Sequence, residues 1–169
     1  MCSSDLKLRR IIRYLKGTLN LKLNLGPDKD GVMRAHIFAD ASYGVHSDCK
    51  SHTGIYLSMG TGAILCKSVK QKIVTKSSTE AELVALSDAT SLAVHQMNFM
   101  ESLGFKLDPT ILHQDDVSTI KLAENGKSNS DRTKHIKIRF FFVKQFLDSG
   151  EFLIEYCPTD IMQIGRAHV

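Results

Sequence analysis

The apolar positions change period several times along the chain, and each change marks an element. In "LKLRRIIRYLKGTL", Leu8, Ile11, Ile12, Leu15 and Leu19 recur at helical spacing among basic residues, with Gly17 near the end. This predicts a basic amphipathic helix. "LKLNL" alternates and predicts a strand closed by the turn signal "GPDKDG". "MRAHIFADAS" reads as the first strand of a main sheet, and "HTGIYLSMGTGAILCKS" as two strands joined through a Gly-rich turn. A long helix follows from a Ser77 cap to about Leu103, stopped by Gly104. "TILHQDD" is a short strand running into the helix "VSTIKLAEN". After the polar loop "GKSNSDRTKH" come a helix, "IKIRFFFVKQFLDSG", and a final strand, "EFLIEYCP". Counted from "MRAHIFADAS", the order is three strands, helix, strand, helix, helix, strand. Three consecutive strands form an antiparallel meander and the later ones enter through helical crossovers, which gives a mixed sheet with helices packed on it.

The long helix raises a question of its own, because it opens with two carboxylates two positions apart. Glu80 sits three residues after Ser77, the spacing of a capping box, and negative charge in a first turn suits the helix dipole. Glu82 has no such role. It lines up with Leu86, Ala89 and Ala93, beside a wider stripe of Leu83, Leu86, Val94 and Met97. A carboxylate at the edge of a buried face is costly unless something positive meets it.

Two further aspartates meet the same difficulty. In "IFADAS", Ile37 and Ala39 alternate with Phe38 and Asp40, which places Asp40 on a core-facing row of an inner strand, where propensity and burial both disfavour it. Asp115 ends a strand just where a helix begins, and sites in open α/β sheets collect at such strand ends. Asp116 beside it is the obvious N-cap, and Asp115 could serve as one too. Three carboxylates gathered by a sheet and an adjoining helix repel one another, and hard divalent cations relieve that repulsion. A pair of such ions roughly 4 Å apart activates water and stabilises the leaving oxygen in phosphodiester hydrolysis.

Composition narrows the classes without choosing among them. At 169 residues, 43% hydrophobic and 24% charged, the chain matches one ordinary globular domain. Its net charge of +4 permits an anionic partner without demanding one. Four cysteines without a CxxC pair indicate neither a zinc site nor a disulfide framework. No apolar run reaches membrane-spanning length and no signal peptide is visible. Both ends look foreign. "CSSDL" (Cys2 to Leu6) and "IGRA" (Ile164 to Ala167) can be encoded by inverted copies of one sequencing-library adapter, so residues 1–6 and 164–169 are read as scars.

Taken together, these motifs resemble the ribonuclease H domain of a copia-type retrotransposon Pol polyprotein. "FADAS" is similar to the family's first-strand aspartate motif, and "SSTEAELVALSDA" to its long-helix motif with Glu82 in the catalytic position. "HQDDVSTI" is similar to D-N-x-S-A-I, with Asp115 the catalytic match and Asp116 in place of the usual Asn. "SDRTKHIKIRFFFVK" resembles R-T-K-H-I-D-I-R-Y-H-F, with Lys137 where Asp is usual. "RRIIRYLKGTLNLKL" is similar to the tail of the preceding reverse transcriptase region. The resemblance implies a ribonuclease H-like α/β fold with a mixed five-stranded sheet over residues 31–163, truncated at its C-terminus, and a reverse transcriptase tail over 7–30.

It also implies an endoribonuclease that cuts the RNA strand of RNA–DNA hybrids during reverse transcription. Asp40, Glu82 and Asp115 would hold two Mg²⁺ ions, with Mn²⁺ as a substitute, and a metal-bound water would be the nucleophile. The implied partners are the hybrid and the reverse transcriptase region of the same polyprotein, with no membrane. The implied setting is intracellular, in a cytoplasmic particle or the nucleus. The family's fourth aspartate, in a Q-x-A-D context, has no counterpart here: Arg166 falls at its place, and Asp160 lies six residues early. A fragment impaired in cleavage is therefore expected. Lys67, Lys70, Lys72 and Lys76, and separately Arg132, Lys134, His135 and Arg139, form basic clusters that could follow a phosphate backbone or simply be solvated faces. Phe140, Phe141 and Phe142 read as core rather than as a base-stacking platform. The competing function is a decayed or recruited domain that binds nucleic acid without cutting it. A third reading, a purely structural module, predicts no metal dependence.

Overall fold

A computed structural model of the chain describes residues 3–105, 107–125 and 134–164, and of residues 3, 4 and 135 the backbone alone. The elements run α1 (Ser3–Gly17), β1 (Ala35–Ser42), β2 (His52–Met59), β3 (Gly62–Lys70), α2 (Ser78–Ser102), β4 (Thr110–Gln114), α3 (Val117–Asn125), α4 (Lys134–Asp148) and β5 (Phe152–Tyr156). The five strands form one sheet in the order β3-β2-β1-β4-β5. β1, β2 and β3 pair antiparallel as the expected meander, and β4 joins β1 and β5 in parallel through the helical crossovers. The expected mixed five-stranded sheet with helices packed on it is formed.

Helices α2, α3 and α4 cover one face of this sheet. Ile37 and Ala39 of β1, Ile55 and Leu57 of β2 and Leu112 of β4 point into that layer, each with at most 1% of its surface exposed. They meet Ala85, Leu86, Ala89 and Ala93, whose mostly small side chains let α2 lie close to the strands. A second cluster, Leu83 and Val84 with Ile136 and Phe140, joins the outer side of α2 to α4. The first turns of α2 are thus buried nearly all round, from Glu80 through Ser87, so no single apolar stripe dominates this helix.

Three sequence expectations change. Residues 21–25 form no strand; a lone bridge between Gly26 and Gly60 is the nearest pairing. Their alternation gives Leu21, Leu23 and Leu25 one side, but nothing among the described residues buries it, and all three are more than 60% exposed. An alternating segment needs both a paired edge and a covered face to persist as a strand. The row of Phe38 and Asp40 lies on the sheet face opposite the helices, so Asp40 is half-buried on the uncovered side and not on a core-facing row. Of the three phenylalanines, Phe140 is core, Phe142 packs edge-on against Phe146, and Phe141 is 60% exposed.

Two features position the strand ends. The turn between β2 and β3 requires Gly60, whose φ of +60° and close approach to the Gly26 backbone exclude a side chain. Gly54, opposite Asp40 in the ladder, leaves room on the uncovered face for the Ile164 side chain. Helix α1 is formed as its periodicity predicts, but it touches no other element, and Leu8, Ile11, Ile12 and Leu15 are each more than half exposed.

Candidate active site

Asp40, Glu82 and Asp115 arrive from three elements at one end of the sheet. Asp40 lies near the C-terminal end of β1, and Asp115 directly follows β4. The parallel pairing of these two neighbouring strands brings their C-terminal ends together. Glu82 comes from the first turns of α2, which crosses above them. One carboxylate oxygen from each of the three lies within 4.8 Å of the other two.

The start of α2 separates its two glutamates as their spacing demands. The Ser77 hydroxyl accepts from the Glu80 amide at 3.2 Å, forming the N-cap. The Glu80 carboxylate turns back and accepts from the Lys76 amide at 2.8 Å, one residue before the capping-box position. Glu82 points instead into the site and is 8% exposed. Its Oε1 accepts from the Ala41 amide at 3.1 Å and its Oε2 from the Gln114 side-chain amide at 3.4 Å. Burial above all, then the neighbouring charges of Asp40 and Asp115, push the Glu82 carboxyl up to about 8. These two hydrogen bonds pull the other way without restoring an ordinary carboxylate.

Gln114 is the residue that sequence reasoning missed. It is fully buried. Its Oε1 accepts from the amides of Asp115 at 2.8 Å and Asp116 at 3.1 Å while its Nε2 reaches Glu82. One side chain therefore fixes both the turn that carries Asp115 and the rotamer of Glu82. A signal existed: Gln114 occupies the inward parity of β4 with Thr110 and Leu112, where a polar residue needs a partner. Asp116 is the N-cap of α3, accepting from the Ser118 amide and the Thr119 hydroxyl, so the two adjacent aspartates divide between cap and site. Asp115 Oδ2 also accepts from the Thr159 hydroxyl at 2.8 Å.

This set suits a hard divalent cation. Three carboxylates crowd together, and one of them is driven toward its protonated form by the other two and by burial. An oxygen-only donor set of this kind fits a cation such as Mg²⁺, Mn²⁺ or Ca²⁺.

The basic residues divide. Lys67, Lys70, Lys72 and Arg139 line one cleft of about 360 Å³ between β3, α2 and α4, with Asp88 on its wall. Arg139 pairs with Asp88 and Lys70 with Asp48, which the Lys70 ammonium holds down to about 2. Lys76 and Lys134 are exposed at the starts of α2 and α4 and do not line this cleft. Arg132 and the His135 side chain lie outside the described residues, as does Arg166.

Comparison with known proteins gives this chain its relatives. The chain is 32% identical, over 150 residues and 89% of its length, to the retrovirus-related Pol polyprotein from transposon TNT 1-94 of Nicotiana tabacum. It is also 32% identical, over 154 residues and 90% of its length, to that from transposon RE1 of Arabidopsis thaliana. Its homologues here are copia-type retrotransposon Pol polyproteins. It spans only 11% and 10% of the length of these two relatives. No family model matches it. The chain has the ribonuclease H fold. It superposes on RNase H1 of the archaeon Halobacterium salinarum NRC-1 with a TM-score of 0.51 at 18% identity, covering 75% of this chain and 87% of that one. It also superposes on the compost-derived LC11-RNase H1, solved with an RNA/DNA hybrid, with a TM-score of 0.56 at 11% identity, covering 77% and 89%.

Proposed function

We propose that this chain is a ribonuclease H-type endonuclease that hydrolyses the RNA strand of RNA–DNA hybrids, with Asp40, Glu82 and Asp115 holding two Mg²⁺ ions. The observation that carries this reading is the meeting of the three carboxylates within 4.8 Å, on the residues singled out by the Pol resemblance. The hybrid in the LC11-RNase H1 structure supports the substrate class, and the likeness to part of the prototype foamy virus protease-reverse transcriptase supports a reverse transcriptase region as a partner.

The chain's own residues prepare the site. The Ala41 amide and Gln114 hold Glu82 toward Asp40 and Asp115, and Gln114 and Thr159 fix Asp115. Without a cation, Glu82 keeps its proton near neutral pH; binding a cation releases it, so occupancy and deprotonation are coupled. Bound divalent cations supply Lewis-acid activation of water and charge neutralisation at the leaving oxygen. The cleft of Lys67, Lys72 and Arg139 supplies positive charge for phosphates at a distance from the carboxylates.

A competing reading, a domain that binds nucleic acid without cutting it, draws on one observation. The carboxylate cluster among the described residues holds three members, and the Thr159 hydroxyl occupies an oxygen of one of them. The deciding experiment offers a strand-labelled RNA–DNA hybrid and the matching DNA duplex to the chain, with Mg²⁺ and with a chelator. RNA-strand cuts in the hybrid that need Mg²⁺ support the enzyme. Binding of hybrid with no cuts at any Mg²⁺ concentration supports the binder.

A further inference from the structure

Outside the carboxylate site, two histidine pairs among the described residues bring ring nitrogens to 3.1 Å. His36 and His113 are stacked with 16° between their planes, and His36 Nε2 is bonded to Asp28 at 2.9 Å. His46 and His52 are tilted by 45°, with His46 Nε2 facing His52 Nδ1. We propose that this second pair is a two-histidine binding site for a borderline divalent transition cation of the Zn²⁺, Ni²⁺ or Cu²⁺ class. The site is independent of the ribonuclease reading.

The distance fits. With metal–nitrogen bonds of about 2.0–2.1 Å, nitrogens 3.1 Å apart subtend roughly 95–102° at the cation, between the square-planar and tetrahedral values. His52 carries the orienting partner that metal-ligating histidines usually have: its other nitrogen, Nε2, lies 2.7 Å from the Ser68 hydroxyl. In the tautomer that donates from Nε2 to Ser68, Nδ1 keeps its lone pair toward His46.

The loop carrying His46 is held in place. The His46 amide donates to the Lys50 carbonyl and the Cys49 amide to the His46 carbonyl, while the Gly44 amide donates to the Ser51 hydroxyl. Ser51 in turn is fully buried and bonded to Thr75. Asp48, the carboxylate of the same loop, is engaged by Lys50 and Lys70. Imidazole favours Zn²⁺, Ni²⁺ and Cu²⁺ over the oxygen-seeking Mg²⁺. Both rings are half-buried, so water or a phosphate oxygen can complete the coordination. Ser42 pairs with His52 in the ladder and Asp40 with Gly54, which sets this softer site beside the carboxylate cluster at the same end of the sheet.

The test is Ni²⁺ titration of the tag-free chain by calorimetry, in excess Mg²⁺ so that the carboxylates are occupied. We expect one Ni²⁺ per chain, weakened at least about tenfold by His46→Gln or His52→Gln and about tenfold by Ser68→Ala. His36→Gln and Asp115→Asn should leave the affinity unchanged. Should a variant misfold, imidazole resonances of the wild-type chain give a second reading: Ni²⁺ must broaden those of His46 and His52 before those of His36 and His113. Unchanged affinity in both His46→Gln and His52→Gln, loss in Asp115→Asn instead, or no Ni²⁺ binding by the wild type overturns the site.

Discussion

Gln114 donates to Glu82 across 3.4 Å while accepting from the backbone of Asp115, so a single buried amide ties α2 to the end of β4. Asp115 and Glu82 therefore cannot move independently. Gln114→Leu keeps most of the volume but leaves the two amides of Asp115 and Asp116 and one Glu82 oxygen without their partner. The expected cost is on the order of 1–3 kcal/mol of stability. Mg²⁺ affinity should fall with it, because second-sphere partners orient ligands. Urea unfolding with and without Mg²⁺ reads both effects. Destabilisation with unchanged Mg²⁺ affinity would show that Gln114 serves the fold alone.

Glu82 makes metal-free stability depend on pH. Its folded value of about 8 lies above the ordinary 4.5, so the folded state holds the proton more tightly than the unfolded chain. The sign follows: the contribution of Glu82 to stability is fully present below about 4.5, declines as pH rises toward 8 and then levels, by a few kcal/mol at most. Glu82→Gln should abolish this decline and stabilise the metal-free protein at pH 8, while added Mg²⁺ should stabilise only the wild type. Chemical denaturation across this range in a chelating buffer checks it.

His113 acts in the opposite direction. Burial, then the nearby His36, lowers its ring to about 4 from 6.5. The unfolded chain then binds the extra proton across that window, and stability should fall as pH drops from 6.5 to 4. His113→Asn should flatten that acid limb relative to the wild type. An unchanged limb would place the titrating group elsewhere.

Much of this fold was legible because local and tertiary signals agree. Helix α3 occupies the nine residues of "VSTIKLAEN", and Ser77 caps α2 as its spacing from Glu80 requires. Glu82 was legible as a carboxylate at the edge of a buried face and Asp115 by its place at a strand end, whereas Asp40 was singled out on a core-facing row that it does not occupy. What failed to show depends on layers that a sequence does not display. Alternation at Leu21, Leu23 and Leu25 carries no information about whether anything covers them. Parity separated Asp40 from Ile37 but could not say which face the helices take. Gln114 showed only as a polar residue on the inward parity of β4; its role depends on three partners that the sequence does not pair with it.

The basic cleft makes a salt-dependence prediction. Lys67 and Lys72 line it, and neither takes part in an ion pair among the described residues. If they neutralise hybrid phosphates, Lys67→Ala and Lys72→Ala should each lower the slope of log affinity against log salt by about one. The Mg²⁺ requirement of cleavage should stay as in the wild type. Equal slopes in variant and wild type would make these lysines a solvated face. Fluorescence anisotropy of a labelled hybrid over a salt series gives the slope.

The most direct test of the central claim pairs binding with cleavage in Asp115→Asn. A neutral amide removes a cation ligand and part of the charge that raises Glu82, but it leaves phosphate contacts in place. Hybrid affinity should stay within about twofold of wild type while Mg²⁺-dependent RNA-strand cleavage is lost by on the order of a hundredfold or more. Cleavage retained at the wild-type rate, or binding and cleavage lost together, would contradict the assignment of Asp40, Glu82 and Asp115 as one catalytic metal site.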